Sequence, residues 1–100
     1  IMTSRGRSAI VGAAQLDTFP APGRSPVGLA SLAVTRALAD AGLTLADVDG
    51  LFTASSYYAF PTLTLAEYLG IHPRHMDSTA LGGCSFIAQL GHAAAAIEAG

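Results

Sequence analysis

Residues 85–98 are the feature that most limits what this chain can fold into. Apolar side chains recur there at helical spacing, and alanines fill most of the remaining sides, so the pattern predicts a helix that is apolar nearly all round. Its clearly polar residues are Gln89, His92 and Glu98. A helix of that kind is buried on all sides rather than lying on a surface. We therefore predict that this helix is almost wholly buried in the complete protein.

The composition indicates that further protein covers this chain. Hydrophobic residues make up 51% and charged residues 12% of the 100 residues, whereas an ordinary soluble domain has roughly 25% charged residues. So few charges do not cover the outside of a small isolated domain. A chain of this length is one domain at most. We interpret residues 1–100 as one incomplete unit.

The charge and the hydrophobic runs exclude several classes of protein. The formal charge of −2 lacks the basic surface of a nucleic-acid-binding protein. No apolar stretch approaches the roughly 20 residues that span a bilayer, and Gln15 and Asp17 interrupt the first apolar run before it reaches signal-peptide length. The single cysteine forms no internal disulfide, which suits a reducing compartment. We predict a soluble, cytoplasmic protein with no nucleic-acid or membrane partner.

Strand-like and helix-like segments alternate along the chain. The pattern predicts strands at residues 8–14, 48–53 and 73–81 and helices at residues 26–41, 61–69 and 85–98. Between them it predicts loops at residues 15–25 and 54–60 and a short capped turn at residues 44–47. Ser25 is a favourable helix N-cap before Pro26, and Gly42 and Gly70 are typical residues past a helix C-terminus. This alternation predicts an α/β fold with crossover connections and some parallel strand pairing.

Cys84 is the principal candidate for chemistry. It follows Gly82 and Gly83 and stands at or next to the first turn of the last helix. The free N–H groups and the dipole at a helix N-terminus stabilise an anion, and the thiolate is the reactive form of cysteine. A small buried residue in a tight strand-to-helix turn explains the same pattern. The residues alone leave both interpretations open.

Other candidate signals are weak. His72, His75 and Asp77 lie across a proline, outside any evident helix and without a second cluster, which argues against the zinc patterns. We therefore predict no metal in this chain. His92 lies eight residues after Cys84, which is roughly 12 Å along a helix. We expect it to satisfy a hydrogen bond near the helix rather than to activate the thiol.

Known nucleotide and hydrolase motifs are absent. No glycine-rich dinucleotide motif follows the first predicted strand, and no phosphate-binding P-loop occurs. Phe86 stands where the second glycine of the hydrolase motif G-x-S-x-G belongs. Tyr57 and Tyr58 could line a ligand entrance, but we favour packing of their loop against neighbouring protein.

Three motifs together resemble a known superfamily. They are Ala9-Ile10-Val11-Gly12, the stretch from Leu43 to Asp47-Val48-Asp49-Gly50-Leu51, and Gly82-Gly83-Cys84-Ser85-Phe86 followed by His92-Ala93-Ala94-Ala95-Ala96-Ile97 and Gly100. In this order, across residues 8–100, they resemble the N-terminal part of the thiolase superfamily. The branch they resemble is the sterol-carrier-protein-type or lipid-transfer-like thiolases.

The resemblance implies a fold and a site. Two similar halves of such proteins pack as a five-layered αβαβα structure, usually in a dimer, and residues 1–100 would be the first part of the N-terminal half. The nucleophilic cysteine sits at the N-terminus of a buried helix, which here matches Cys84. The remaining catalytic groups come later in the chain. Lipid-transfer-like relatives often work with a small zinc-ribbon and OB-fold subunit, so a homodimer and such a partner are both implied.

The chain departs from the thiolase pattern at the turn. It contains no asparagine, whereas thiolases commonly carry one shortly before the cysteine. Counting back from Ile97, the usual nucleophile position falls on Gly83 rather than on Cys84. Relatives that lack the cysteine there include retro-aldolases that act on acyl-CoA.

The resemblance therefore implies three hypotheses within lipid metabolism. The leading hypothesis, favoured by the cysteine at this turn, is a thiolase-type acyltransferase that uses Cys84 and coenzyme A on a β-ketoacyl-CoA. The second is an acyl-CoA retro-aldolase that forms no covalent intermediate. The third is a non-catalytic subunit that binds acyl-CoA or supports a partner.

Overall fold

The computed structural model describes residues 5–16, 23 and 25–100. Within these ranges the helices are α1 (Pro26–Ala41), α2 (Pro61–Leu69) and α3 (Ser85–Ala99), and the strands are β1 (Gly50–Thr53) and β2 (His75–Ser78). A 3₁₀ turn at Leu45–Asp47 precedes β1. The α/β class predicted from the sequence is confirmed, whereas the five-layered αβαβα arrangement stays a prediction.

The helix ends follow the signals in the sequence. The Ser25 hydroxyl accepts a hydrogen bond from the Gly28 N–H at 3.1 Å, and Pro26 occupies the first helical position of α1. Gly42 and Gly70 end α1 and α2 with φ angles of 73° and 72°, which glycine adopts without strain. The predicted helices and the turn at residues 44–47 are confirmed. Most of the predicted loop at residues 15–25 lies outside the described residues.

The two strands pair in parallel. Gly50 is opposite His75, and Thr53 is opposite Ser78. Both strands are shorter than the segments at residues 48–53 and 73–81 that the sequence predicts. Parallel strands need a crossover connection, and α2 provides it. The carboxyl ends of both strands therefore lie at the same edge of the sheet.

Helices lie on both faces of this small sheet. Leu51 is buried with Leu65 and Ala66 of α2, and partly buried residues of α1 pack against them. The neighbouring strand residue, Phe52, lines a cavity together with Ala96 of α3. Successive strand residues point to opposite faces, so α1 and α2 cover one face and α3 covers the other.

The predicted strand at residues 8–14 is wrong. This segment has no regular structure, and Ile10 and Val11 are largely exposed. Its contacts are with the end of α1, because the Ala13 N–H donates to Asp40 Oδ2 at 3.1 Å. A strand requires a partner along its backbone, and this segment lies against a helix instead.

In this chain α3 is buried on one side only, so its burial on all sides stays a prediction for the complete protein. Phe86, Ile87, Leu90 and Ile97 are between 51% and 70% exposed, whereas Ser85 and Gln89 are its buried residues. The described residues provide a packing surface on one side of α3 only, and the helix turns Ser85, Gln89 and His92 toward that surface. Among the described residues, no helix has both the length and the hydropathy needed to cross a membrane.

Candidate active site

The cysteine lies in a compact turn between β2 and α3. Ser85 Oγ accepts from the Leu81 N–H at 2.8 Å and donates to the Gly82 carbonyl at 2.7 Å. Gly82 has a φ angle of 89°, which favours a residue without a Cβ. Ser85 is almost completely buried, so these two hydrogen bonds are shielded from water. Together they fold the turn back onto the first residue of α3.

Cys84 occupies the N-cap position of α3 and is exposed. Its Sγ lies 3.5 Å from the Leu81 carbonyl oxygen, a contact in which the thiol donates. The side chain makes no capping hydrogen bond to the first turn of the helix. The placement at the helix N-terminus is confirmed, and in this chain the Cys84 side chain is exposed rather than buried. A catalytic role for Cys84 stays a prediction.

A row of polar residues fastens α3 to the rest of the domain. Ser85, Gln89 and His92 lie three or four positions apart, which places them along one side of the helix. Gln89 is 4% exposed, and its Nε2 donates to the Thr53 carbonyl at the end of β1 over 2.8 Å. His92 Nδ1 lies 2.5 Å from Asp77 Oδ2 on β2. These contacts hold α3 beside the carboxyl ends of both strands.

The Asp77 carboxylate accepts two side-chain hydrogen bonds. The Thr79 hydroxyl donates to Asp77 Oδ2 at 2.9 Å, beside the contact from His92. The hydrogen bond from Thr79, followed by the one from His92, lowers the pKa of the Asp77 carboxyl below its ordinary value of 3.8. The carboxylate therefore stays ionised near neutral pH. Because a carboxylate only accepts, His92 donates from Nδ1 in this contact.

An open groove of about 610 Å³ lies where the two strands end. Its lining comes from the loop after β1, the start of α2, and residues 76–80 at the end of β2. Residues 79 and 80 lead directly into the turn that holds Cys84. In α/β proteins, ligands commonly bind outside the carboxyl ends of parallel strands. The groove and the turn together form the candidate site.

Of the other predicted residues, Tyr58 and Asp77 line the groove. His72, His75 and Asp77 do not form a group of three metal-ligating side chains in the described part of the chain. The Tyr58 hydroxyl accepts from the Val27 N–H at 3.2 Å, and Tyr58 also lines the groove, whereas Tyr57 is exposed.

The roles of Gln89 and Asp77 were not predicted from the sequence. The sequence did predict that His92 makes a hydrogen bond near the helix, which is confirmed. The available signal was the spacing of Ser85, Gln89 and His92 along one side of an otherwise apolar helix. Nothing in the sequence identified Thr53 and Asp77 as their partners.

Comparison with known proteins shows similarity to an enzyme that acts on a coenzyme A thioester. No protein-family model matches the chain. The chain is 40% identical over 96 residues to the 17-hydroxy-3-oxo-4-pregnene-20-carboxyl-CoA lyase of Mycobacterium tuberculosis. The match covers 95% of this chain and 25% of that protein. The chain thus spans about a quarter of the length of the curated relative.

Proposed function

We propose that this chain is part of an enzyme that breaks a carbon–carbon bond beside a coenzyme A thioester. The observation that carries the proposal is the 40% identity to a named CoA lyase across 95% of the chain. The groove at the carboxyl ends of both strands supports a ligand site in the same region. Coenzyme A enters this reaction as part of the substrate.

The reaction we propose first is a retro-aldol cleavage of a β-hydroxyacyl-CoA. A base takes the proton of the β-hydroxyl group, and a carbonyl forms at Cβ while the Cα–Cβ bond breaks. The electron pair passes to Cα as a thioester enolate, and protonation of Cα releases a shorter acyl-CoA. No acyl-enzyme forms, so this route needs no cysteine nucleophile.

A second candidate, thiolase chemistry, is supported by the exposure of Cys84 at the start of α3. Its thiolate would attack the keto carbon of a β-ketoacyl-CoA, and the Cα–Cβ bond would break toward a thioester enolate. Protonation of that enolate would release a shorter acyl-CoA, and the thiol of free coenzyme A would then take the acyl group from the Cys84 sulfur. Under either candidate, we propose that residues 1–100 are the first part of an N-terminal thiolase-type half. A homodimer is also part of the proposal, as is a partner subunit with a small zinc ribbon and an OB-fold.

Replacing Cys84 with serine distinguishes the two reactions. The complete protein and its Cys84→Ser variant are each mixed with a β-hydroxyacyl-CoA, and separately with a β-ketoacyl-CoA and free coenzyme A. We expect cleavage of the β-hydroxy thioester, with the serine variant within about twofold of the original rate, because a retro-aldol step makes no bond to sulfur. Liquid chromatography of the CoA products measures both reactions.

Mass spectrometry of the protein provides the matched control. An acyl adduct on Cys84, with thiolysis lost in Cys84→Ser, would favour the thiolase instead. If neither thioester is cleaved but acyl-CoA still binds, the chain belongs to a non-catalytic subunit and the proposed enzyme activity is wrong.

A further inference from the structure

The turn that carries Cys84 depends on how α3 sits against the sheet. It connects the end of β2 directly to the start of α3. The hydrogen bonds of Ser85 with Leu81 and Gly82 attach the turn to the helix. They do not attach it to the sheet, so a rotation or shift of α3 would carry the turn with it.

Asp77 links β2 to three segments around this turn. Its backbone carbonyl accepts from the buried Thr62 hydroxyl of α2 at 2.7 Å. Its carboxylate accepts from Thr79 inside the connection and from His92 on α3. One strand residue thus binds the crossover helix, the connection itself and the helix that follows it. Gln89 adds a second attachment, to the end of β1.

We propose that Asp77 and His92 are positioning residues, which hold the connection at residues 79–84 and the adjacent groove in the geometry that the reaction requires. This inference rests on the proposed function. The pair acts at the junction of β2 and α3, where a small displacement would move both the turn and the groove wall at residues 76–80. Such a displacement reduces turnover even when the substrate still binds.

The chemistry of the contact allows positioning to be separated from proton transfer. His92 uses its Nδ1–H toward Asp77. The side-chain amide of asparagine can place an N–H donor close to that position, but it does not exchange protons as an imidazole does. The substitution His92→Asn therefore keeps the contact and removes the acid–base group. The substitution His92→Ala removes both.

The test uses the complete protein with a β-hydroxyacyl-CoA as the substrate. We expect His92→Ala to lower kcat by about tenfold to a hundredfold while KM changes little, because misplacement affects the reacting geometry more than binding. His92→Asn should recover most of kcat and keep the original pH–rate profile. Glu98→Gln, at an exposed position near the end of α3, serves as the control and should leave kcat unchanged.

Hydrogen–deuterium exchange of residues 79–84 provides a readout that does not need activity. We expect faster exchange there in His92→Ala and the original rate in His92→Asn. If His92→Asn loses as much activity as His92→Ala although its exchange is normal, the imidazole itself takes part in proton transfer and the positioning role is wrong. Unchanged kcat and exchange in His92→Ala would also overturn the proposal. An inactive original protein would refute the proposed function, and the exchange data would still show whether the pair holds the turn.

Discussion

The Asp77 carboxylate is the centre of a local hydrogen-bond network. Its carboxylate is about one-third exposed, and it accepts hydrogen bonds from Thr79 and His92. Both contacts favour the ionised form, which is why its pKa is lowered. By contrast, the contact between Arg74 and Asp49 spans 4.0 Å between two well-exposed side chains, and such a pair contributes little to stability.

The lowered pKa of Asp77 predicts a specific dependence of stability on pH. The folded state holds its proton more weakly than the unfolded state, so the contribution is present above the unfolded-state pKa, near 3.8. It is lost as the pH falls through the lower pKa of the folded protein. Melting temperatures of the complete protein between pH 6 and pH 2.5 should therefore fall less steeply in Asp77→Asn than in the original protein.

The control for this measurement is Asp49→Asn, because Asp49 lies 4.0 Å from Arg74 in an exposed pair. This variant should follow the original pH dependence. An acid-side slope in Asp77→Asn equal to that of the original protein would show that the network around Asp77 does not stabilise its ionised form.

At the scale of the elements, contacts of small residues decide where segments dock. A Cβ built at Gly12 would lie 2.4 Å from the Ala37 carbonyl oxygen and 2.9 Å from the Ala41 Cβ. Residues 8–14 therefore approach the end of α1 more closely than any side chain at position 12 permits. This close approach, together with the hydrogen bond from Ala13 to Asp40, explains why the segment lies on α1.

We predict that Gly12→Ala destabilises the complete protein by about 1–3 kcal/mol, because the added methyl group overlaps a backbone atom that cannot move freely. Chemical denaturation measures the change. Ala9→Ser, at an exposed position of the same segment, should change the free energy of unfolding by less than about 0.5 kcal/mol. A Gly12→Ala variant as stable as Ala9→Ser would mean that the segment does not pack on α1.

At the scale of the whole molecule, a sizeable apolar surface faces solvent. Phe86, Ile87, Leu90 and Ile97 are each more than half exposed on α3, while the buried apolar core is small. Exposed apolar patches on one face mark contacts with further protein or a tendency to aggregate. The thiolase-type half that we propose would place additional layers over this helix.

This surface predicts opposite effects of one substitution in two contexts. Residues 1–100 expressed alone should self-associate, and Ile97→Asp should reduce that association by placing a charge on the exposed face. In the complete protein, the same substitution should sharply reduce the soluble yield if a further layer buries Ile97, because the charge would then lack a partner. Light scattering and soluble expression measure the two effects.

Glu98→Gln is again the control, since it introduces no charge on the apolar side of α3. A monomeric, cooperatively melting chain of residues 1–100 would contradict the expectation that α3 needs a covering layer. Normal soluble yield of Ile97→Asp in the complete protein would contradict it independently.

Local signals in the sequence were sufficient for the helices and for the turn at Cys84. Ser25 before Pro26 and the glycines at positions 42 and 70 act within a few residues of themselves, so their effect does not depend on the rest of the fold. The sequence also predicted a helix over residues 85–98 with Cys84 at its start, and the observed helix is one residue longer. The α/β class followed from the order of these elements.

Only the tertiary structure decided which side of α3 packs, where residues 8–14 lie, and which groups His92 and Gln89 contact. Each of these depends on residues far apart in the chain: Gln89 lies 36 positions from Thr53, and His92 lies 15 positions from Asp77. Apolar periodicity shows that a helix has faces but does not show which neighbours are present to cover them. A run of apolar residues likewise becomes a strand only where a partner backbone is available, because its N–H and C=O groups need partners that the run itself does not provide.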